Sequence, residues 1–267
     1  MIRTPVVAGQ FYPQTEASLK KMISKMVDAD SEKQEIKGMV LPHAGFVYSG
    51  YVAGLTVSKA ILKNTVIILG TNHTGRGEPF GIMVNGKWKT PLGEVKVDSE
   101  IAKSILKHSQ LLKEDNACHL YEHSIEVQLP FLQYLKNDIK IVPIMISGSD
   151  IKTYQELGNA ISQGFRKVGR SAVFVSSTDF THYETKDSAE KKDRLAINAI
   201  LGLDEAGLFN TVKENNISMC GVAPTCTLIS VCKNIGATKA GLVKYQTSGD
   251  VSGDYSSVVG YAGMILW

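Results

Sequence analysis

The apolar residues of this chain fall into short unbroken runs, separated by stretches with helical spacing. Six runs rich in Val, Ile and Leu, at Gly38-Leu41, Thr65-Leu69, Ile139-Ile146, Ala172-Ser176, Leu242-Tyr245 and Ser257-Ile265, are apolar at consecutive positions. That pattern predicts strands covered on both faces, as in a parallel sheet. Between them, Leu19, Met22, Ile23, Met26 and Val27 share one face of a helix predicted over Glu16 to Asp28. Further helices are predicted over Tyr51-Leu62, Glu100-Lys107, His123-Leu135, Tyr154-Lys167, Ser188-Leu201 and Pro224-Asn234, the last opening with Pro at a position suited to a first turn. Strand and helix alternate for most of the length, which predicts an α/β fold with a mostly parallel, doubly wound sheet and helices on both faces. Phe80-Val97 is the exception. Its Asn85-Gly86 pair, between Ile82-Met83-Val84 and Lys87-Trp88, predicts a small antiparallel hairpin.

No internal repeat, low-complexity tract or Pro/Gly/Ser linker interrupts the pattern, so the 267 residues read as one domain, 1–267. The 29 basic and 26 acidic residues are scattered along the chain, which argues against a nucleic-acid partner. The opening MIRTPVVAGQFYP has no basic region followed by an apolar one. Neither a signal peptide nor a membrane anchor is therefore expected, and the expected location is cytoplasmic. Cys118, Cys220, Cys226 and Cys232 lack zinc-ribbon spacing and are expected as reduced thiols.

Ligand sites of open α/β sheets lie beyond the carboxyl ends of the strands, which gives weight to polar residues directly after an apolar run. His43 follows Gly38-Leu41 in LPHAGFVYSG, His73 follows Thr65-Leu69 in ILGTNHTG, and His182 follows Ala172-Ser176 in VSSTDFTHY. Gly45 and Gly70 are expected to loosen the first two turns. His123, in YEHSIEVQLPFLQYL with Glu122 beside it, falls near a helix start that could share the same rim. Each of these imidazoles alone reads equally well as a structural histidine; together they suggest a metal or an acid/base centre. Cys220 lies in ISMCGVAPTC just before a helix N-terminus, a setting expected to lower its thiol pKa. Its bland reading is a small residue packed at a loop-helix junction. Two imidazoles and a third donor make a centre with open positions, and a thiolate among them selects iron, copper or zinc over magnesium or calcium. His108 and the Cys118-His119 neighbours receive no role. No nucleophile elbow, P-loop, HExxH or dinucleotide fingerprint occurs.

The segments VAGQFYP, LPHAGFVYSG, ILGTNHTG, TPLGEVKVD, EHSIEVQLPFL, VPIMISG, SSTDFTHY, MCG and GDYSSVVGYAGMI, in this order and over nearly the whole chain, resemble the motif set of the Memo family. The resemblance implies a fold similar to that of class III extradiol dioxygenases, which hold ferrous iron with two histidines and a glutamate. It places the family's metal ligands on His43, His73 and Cys220, with a cysteine where the dioxygenases use a carboxylate. It also puts His123, His182 and Asp179 at the pocket rim, as groups that position a ligand or move a proton. Prokaryotic members resemble the B component of the AmmeMemoRadiSam system, which implies radical-enzyme partners. Eukaryotic ones are linked to motility signalling and to redox-active copper or iron.

Three readings follow. The first is a metal-dependent oxidoreductase holding iron or copper, or else zinc, at His43, His73 and Cys220. The second is a non-catalytic module that binds a peptide or small ligand in the same pocket, lined by Phe46, Tyr48, Tyr183 and Trp88. The third is thiol chemistry at Cys220 with a histidine as base.

Overall fold

A computed structural model describes residues 1–267. Its sheet has twelve strands. The central path runs Gly93–Val97, Lys140–Ile146, Thr65–Thr71, Val173–Ser177, Gly38–Leu41, and these five strands are mutually parallel. Val258–Leu266 then joins antiparallel to Gly38–Leu41, and Ala240–Thr247 joins antiparallel to Val258–Leu266. The consecutive apolar runs predicted as strands are thus strands, with bounds that move by at most two residues.

The sequence explains why helices cover both faces. Gly38 pairs with Leu266 across the sheet, so Gly263, an odd number of residues from Leu266, points the other way. A Cβ on Gly38 would sit 2.6 Å from Cys232 Sγ and 2.9 Å from Leu228 Cδ1, both on the Val222–Asn234 helix. A Cβ on Gly263 would meet Val52 Cγ1 at 3.1 Å, on the Phe46–Ser58 helix. Two helices therefore press on opposite faces of neighbouring strands, and glycine is the residue that lets each approach. The resulting core joins 65 buried residues into one cluster.

Crossovers place the strand ends that matter. The chain leaves Gly38–Leu41, passes through the Phe46–Ser58 helix and returns as Thr65–Thr71, with the gap between the two strands later filled by Val173–Ser177. Three adjacent parallel strands consequently send the loops of His43, Asp179 and His73 out of the same end of the sheet.

The differences from expectation are local. Asn85-Gly86 is no hairpin turn: Phe80–Ile82 pairs with Lys140–Ile146 and with Lys113–Glu114, while the hairpin joins Lys87–Thr90 to Gly93–Val97. Pairing with the large sheet outcompetes the local turn preference. The helix expected over His123-Leu135 begins as a 3-10 turn at Glu126–Gln128 and becomes α-helical at Leu129–Leu135, leaving His123 in the preceding loop. The Glu16 helix stops at Ile23, and the helix expected from Tyr51 starts at Phe46. A helix at Glu205–Glu214 escaped the apolar pattern because only Glu205 and Leu208 are buried in it, although Asp204 caps it. No helix is long and apolar enough to cross a membrane.

Candidate metal centre

Three imidazoles meet at this end of the sheet. One ring nitrogen from each of His43, His73 and His123 lies within 4.8 Å of the others. The His73 and His123 rings stack at 5.0 Å, and His43 stands edge-on to both, at 5.0 and 5.3 Å. His43 is buried, whereas His73 and His123 open to solvent.

Glycine at position 70 brings His123 to His73. A Cβ there would lie 2.7 Å from Ile125 Cγ1 and 2.8 Å from Ser124 Oγ, so only glycine lets the 122–125 loop lie against the strand end. Its φ is not positive, so the reason for glycine is close approach and not the loosening of a turn. Ser124 Oγ then donates to the Thr71 carbonyl at 2.9 Å.

Donor and acceptor inventory fixes two tautomers. Ser177 Oγ donates its single proton to the Ser124 carbonyl at 2.6 Å, and it accepts from Gln128 Nε2 at 2.9 Å. Facing this oxygen at 3.0 Å, His43 Nδ1 must be the donor, and the lone pair of His43 is left on Nε2. His73 Nδ1–H likewise donates to Glu122 Oε1 at 3.0 Å, which frees its Nε2. Glu122 is fully buried and also accepts the backbone N–H groups of His73, His123 and Ser124 at 2.6, 2.9 and 2.9 Å. Burial opposes its ionisation, but the His73 ring N–H, the charge of His73 and these N–H donors outweigh it and hold the carboxyl at about 2. Burial, and after it the neighbouring imidazoles, keeps His43 well below the usual imidazole range; burial does the same, more weakly, for His123. A neutral imidazole with its lone pair directed by an N–H···hydroxyl contact is the protonation state that a metal ligand requires, and His43 has it.

Cys220 Sγ lies 3.3 Å from His43 Nε2, the ring nitrogen that carries the lone pair. The sulfur accepts the Asp179 N–H at 3.2 Å, and the Cys220 N–H donates to the Asp179 carbonyl at 3.3 Å. Gly221 sets this position, because a Cβ there would lie 2.6 Å from Thr178 Oγ1 and 2.7 Å from the Ser177 carbonyl oxygen. Gly221→Ala is therefore expected to push the 220–221 corner outward and cost about 1–3 kcal/mol in a urea unfolding experiment. The expected helix-dipole effect on the thiol is overturned: burial, followed by the nearby Asp179 carboxylate, pushes Cys220 up to about 12. Desolvation of the sulfur wins over a dipole whose helix starts only at Val222.

Asp179 accepts the His43 backbone N–H at 2.8 Å, and its Oδ2 lies 4.0 Å from His43 Nε2. Burial pushes its carboxyl up to about 6, against the pull of that N–H and of His182. His182 Nδ1–H donates to the Ser218 carbonyl at 2.9 Å, so its free lone pair is on Nε2, but its ring is not one of the three clustered imidazoles. Of the residues singled out in the sequence, His43, His73 and His123 gather as a group that does not include Cys220, Cys220 and Asp179 lie against His43, and His182 is within charge range of Asp179. Phe46 and Trp88 do not line a groove, since both are buried in the core, whereas Tyr48 and Tyr183 are 42% and 79% exposed. Neither His108, bonded to the Ser104 carbonyl, nor His119, buried against Trp88, joins the site. Sequence reasoning missed Ser177, Gln128 and the anchoring role of Glu122. Only the adjacency of Glu122 to His123 signalled the last, and its main partner lies 49 residues away.

A family model described as Memo-like protein matches residues 3–265. A MEMO1 family protein of Methanopyrus kandleri is 44% identical, the match covering 100% of this chain and 99% of the relative. Another, of Methanothermobacter thermautotrophicus, is 40% identical over 98% and 99% of the two chains. Among solved structures, an uncharacterized protein of Escherichia coli K12 superposes with a TM-score of 0.56 at 13% identity, over 86% of this chain and all of that one, a likeness in fold alone. Matched from end to end by the family model and by relatives of this similarity, the chain belongs to the Memo family.

Proposed function

We propose that this protein is a metal-dependent redox protein that holds one iron or copper ion through His43 and His73, with Cys220 as the sulfur donor beside His43 and His123 as the nearest further nitrogen. The observation that carries the reading is the meeting of three ring nitrogens within 4.8 Å, two of them with their lone pairs fixed by partners on the opposite ring nitrogen. Packing does not account for such convergence from three separate loops, since burial of His43 desolvates its ring while His73 and His123 remain partly open to solvent. Imidazole and thiol donors suit iron, copper or zinc. When bound, such an ion polarises a coordinated water, oxygen or substrate oxygen.

The chain's own residues supply the rest. His182 presents Nε2 as a proton acceptor, and Asp179, pushed up to about 6, changes protonation close to neutral pH. Coordination by Cys220 requires loss of its thiol proton; the thiol's own hydrogen-bond acceptor is the Asp179 backbone carbonyl, and the Asp179 carboxylate is close enough to act on its charge. All four thiols are unpaired, which fits a reducing cytoplasm, and radical-enzyme partners belong to the same proposal.

Elemental analysis of untagged protein tests the reading. Near-stoichiometric iron or copper is expected, and it should vanish in the His43→Ala, Cys220→Ser double variant. Metal content unchanged by that variant, or zinc alone in its place, would overturn the redox assignment. A binding module is the competing reading, favoured by the exposed Tyr48 and Tyr183 beside the site. Oxygen uptake with catechols under ferrous iron separates the two: uptake that depends on His43 supports an enzyme, and none across a broad panel supports binding.

A further inference from the structure

Within the strap formed by the chain's first thirteen residues, Arg3, Val6, Val7 and Tyr12 turn polar groups inward to Glu126, just after the loop that carries His123. Glu126, fully buried, accepts the Val6 and Val7 backbone N–H groups at 2.9 and 3.1 Å, the Tyr12 hydroxyl at 2.6 Å and the Arg3 guanidinium. Arg3 is itself only 1% exposed. Its Nη2 donates to the Glu122 carbonyl at 2.6 Å, its Nε donates to the His119 carbonyl at 3.1 Å, and its guanidinium lies 4.4 Å over the Trp88 ring. The strap also sets Phe11 edge-on against His123 at 5.0 Å.

We propose that Arg3 is a positioning residue for the centre, because its fork fixes the backbone of Glu122 and, through the Glu122 carboxylate, the orientation of His73 and His123. A loop of this kind would otherwise be free to shift. Residues 121–125 belong to no helix or strand, yet Glu122 has to satisfy one imidazole and three backbone donors at once. Arg3 supplies the missing rigidity from outside the loop. It grips the carbonyls on either side of Tyr121 in the chain, at His119 and Glu122, and it is itself held by Glu126 further along. Three acceptors in three directions need a planar five-donor group; a lysine ammonium at the same place keeps the charge but cannot reach all three.

Arg3→Lys is therefore the incisive variant, and it has two readouts. In the metal-free protein, the His73 Nδ1–H bound to the Glu122 carboxylate should give a slowly exchanging proton resonance in wild type that is lost or exchange-broadened in Arg3→Lys. This arm does not depend on metal binding. Zinc affinity, measured by competition with a chromophoric chelator, should fall at least about tenfold, as is usual when the partner of a metal-binding imidazole is disturbed. That second arm rests on the reading of the site as a metal centre. Leu208→Ala, which opens a cavity in the Glu205–Glu214 helix, an element that carries none of the clustered residues, is the control for mere destabilisation and should leave both readouts at wild-type values. A folded Arg3→Lys protein that keeps the His73 resonance would overturn the inference. Loss of the resonance together with no zinc binding by wild type would uphold Arg3 as the positioning group and overturn the metal reading instead.

Discussion

Glu126→Ala is expected to lower the stability of the protein by about 3–5 kcal/mol, the cost of leaving one partner of a buried ion pair without the other. Both Arg3 and Glu126 have no exposed side-chain surface, and the alanine would also strand the Val6 and Val7 N–H groups and the Tyr12 hydroxyl. Desolvation makes the loss large: the guanidinium keeps its carbonyl partners but loses the only carboxylate paired with it. Urea unfolding followed by circular dichroism measures the change. The paired replacement Arg3→Met with Glu126→Leu removes both charges, and it should be less harmful than Glu126→Ala alone, because no uncompensated charge remains. A Glu126→Ala protein within about 1 kcal/mol of wild type would mean that water reaches the pair and that the strap is not the sealed structure described above.

Glu122→Gln should weaken metal binding by about 10–100-fold, the usual consequence of removing the carboxylate that orients a metal-binding histidine. The substitution preserves shape but not polarity. In the wild type both carboxylate oxygens only accept: Oε1 serves the His73 ring and the His123 and Ser124 N–H groups, and Oε2 serves the His73 N–H. A glutamine must turn its NH2 toward one of these donors, so at least one N–H faces another N–H at a fully buried position, at about 1–3 kcal/mol. Zinc titration of the purified variant, alongside its unfolding curve, separates the two effects. Wild-type affinity in a variant that is nevertheless destabilised would show that the carboxylate holds the loop together without orienting His73.

How much of this was legible in the sequence depends on the range of the interaction responsible. The strands were, because Thr65-Val66-Ile67-Ile68-Leu69 and its counterparts carry their burial in consecutive apolar residues, a signal that needs no partner to be read. Element ends were less so, since a cap or a turn competes with tertiary pairing. Asn85-Gly86 favours a hairpin locally, yet Phe80–Ile82 gains more by joining the large sheet. The positions of His43 and His73 followed from one rule of α/β folds, that strand ends face the ligand side, and that rule is written in the order of strand and loop along the chain.

The tertiary structure alone decided which donors meet and in what protonation state. His43 is 30 residues before His73 and 80 before His123, and only the insertion of Val173–Ser177 between their strands brings Ser177 and Asp179 under the first of them. The local sequence around Cys220 pointed to a lowered pKa, and burial beside Asp179 reversed it. Arg3 carried no sequence signal of its role, and Glu122 only its adjacency to His123, because a charge reveals its partner only once the chain has folded it out of water, where an unpaired charge is too costly to persist. Patterns of apolar residues fix which surfaces are buried; the identity of the polar groups that must then satisfy one another is settled by distances the linear chain does not contain.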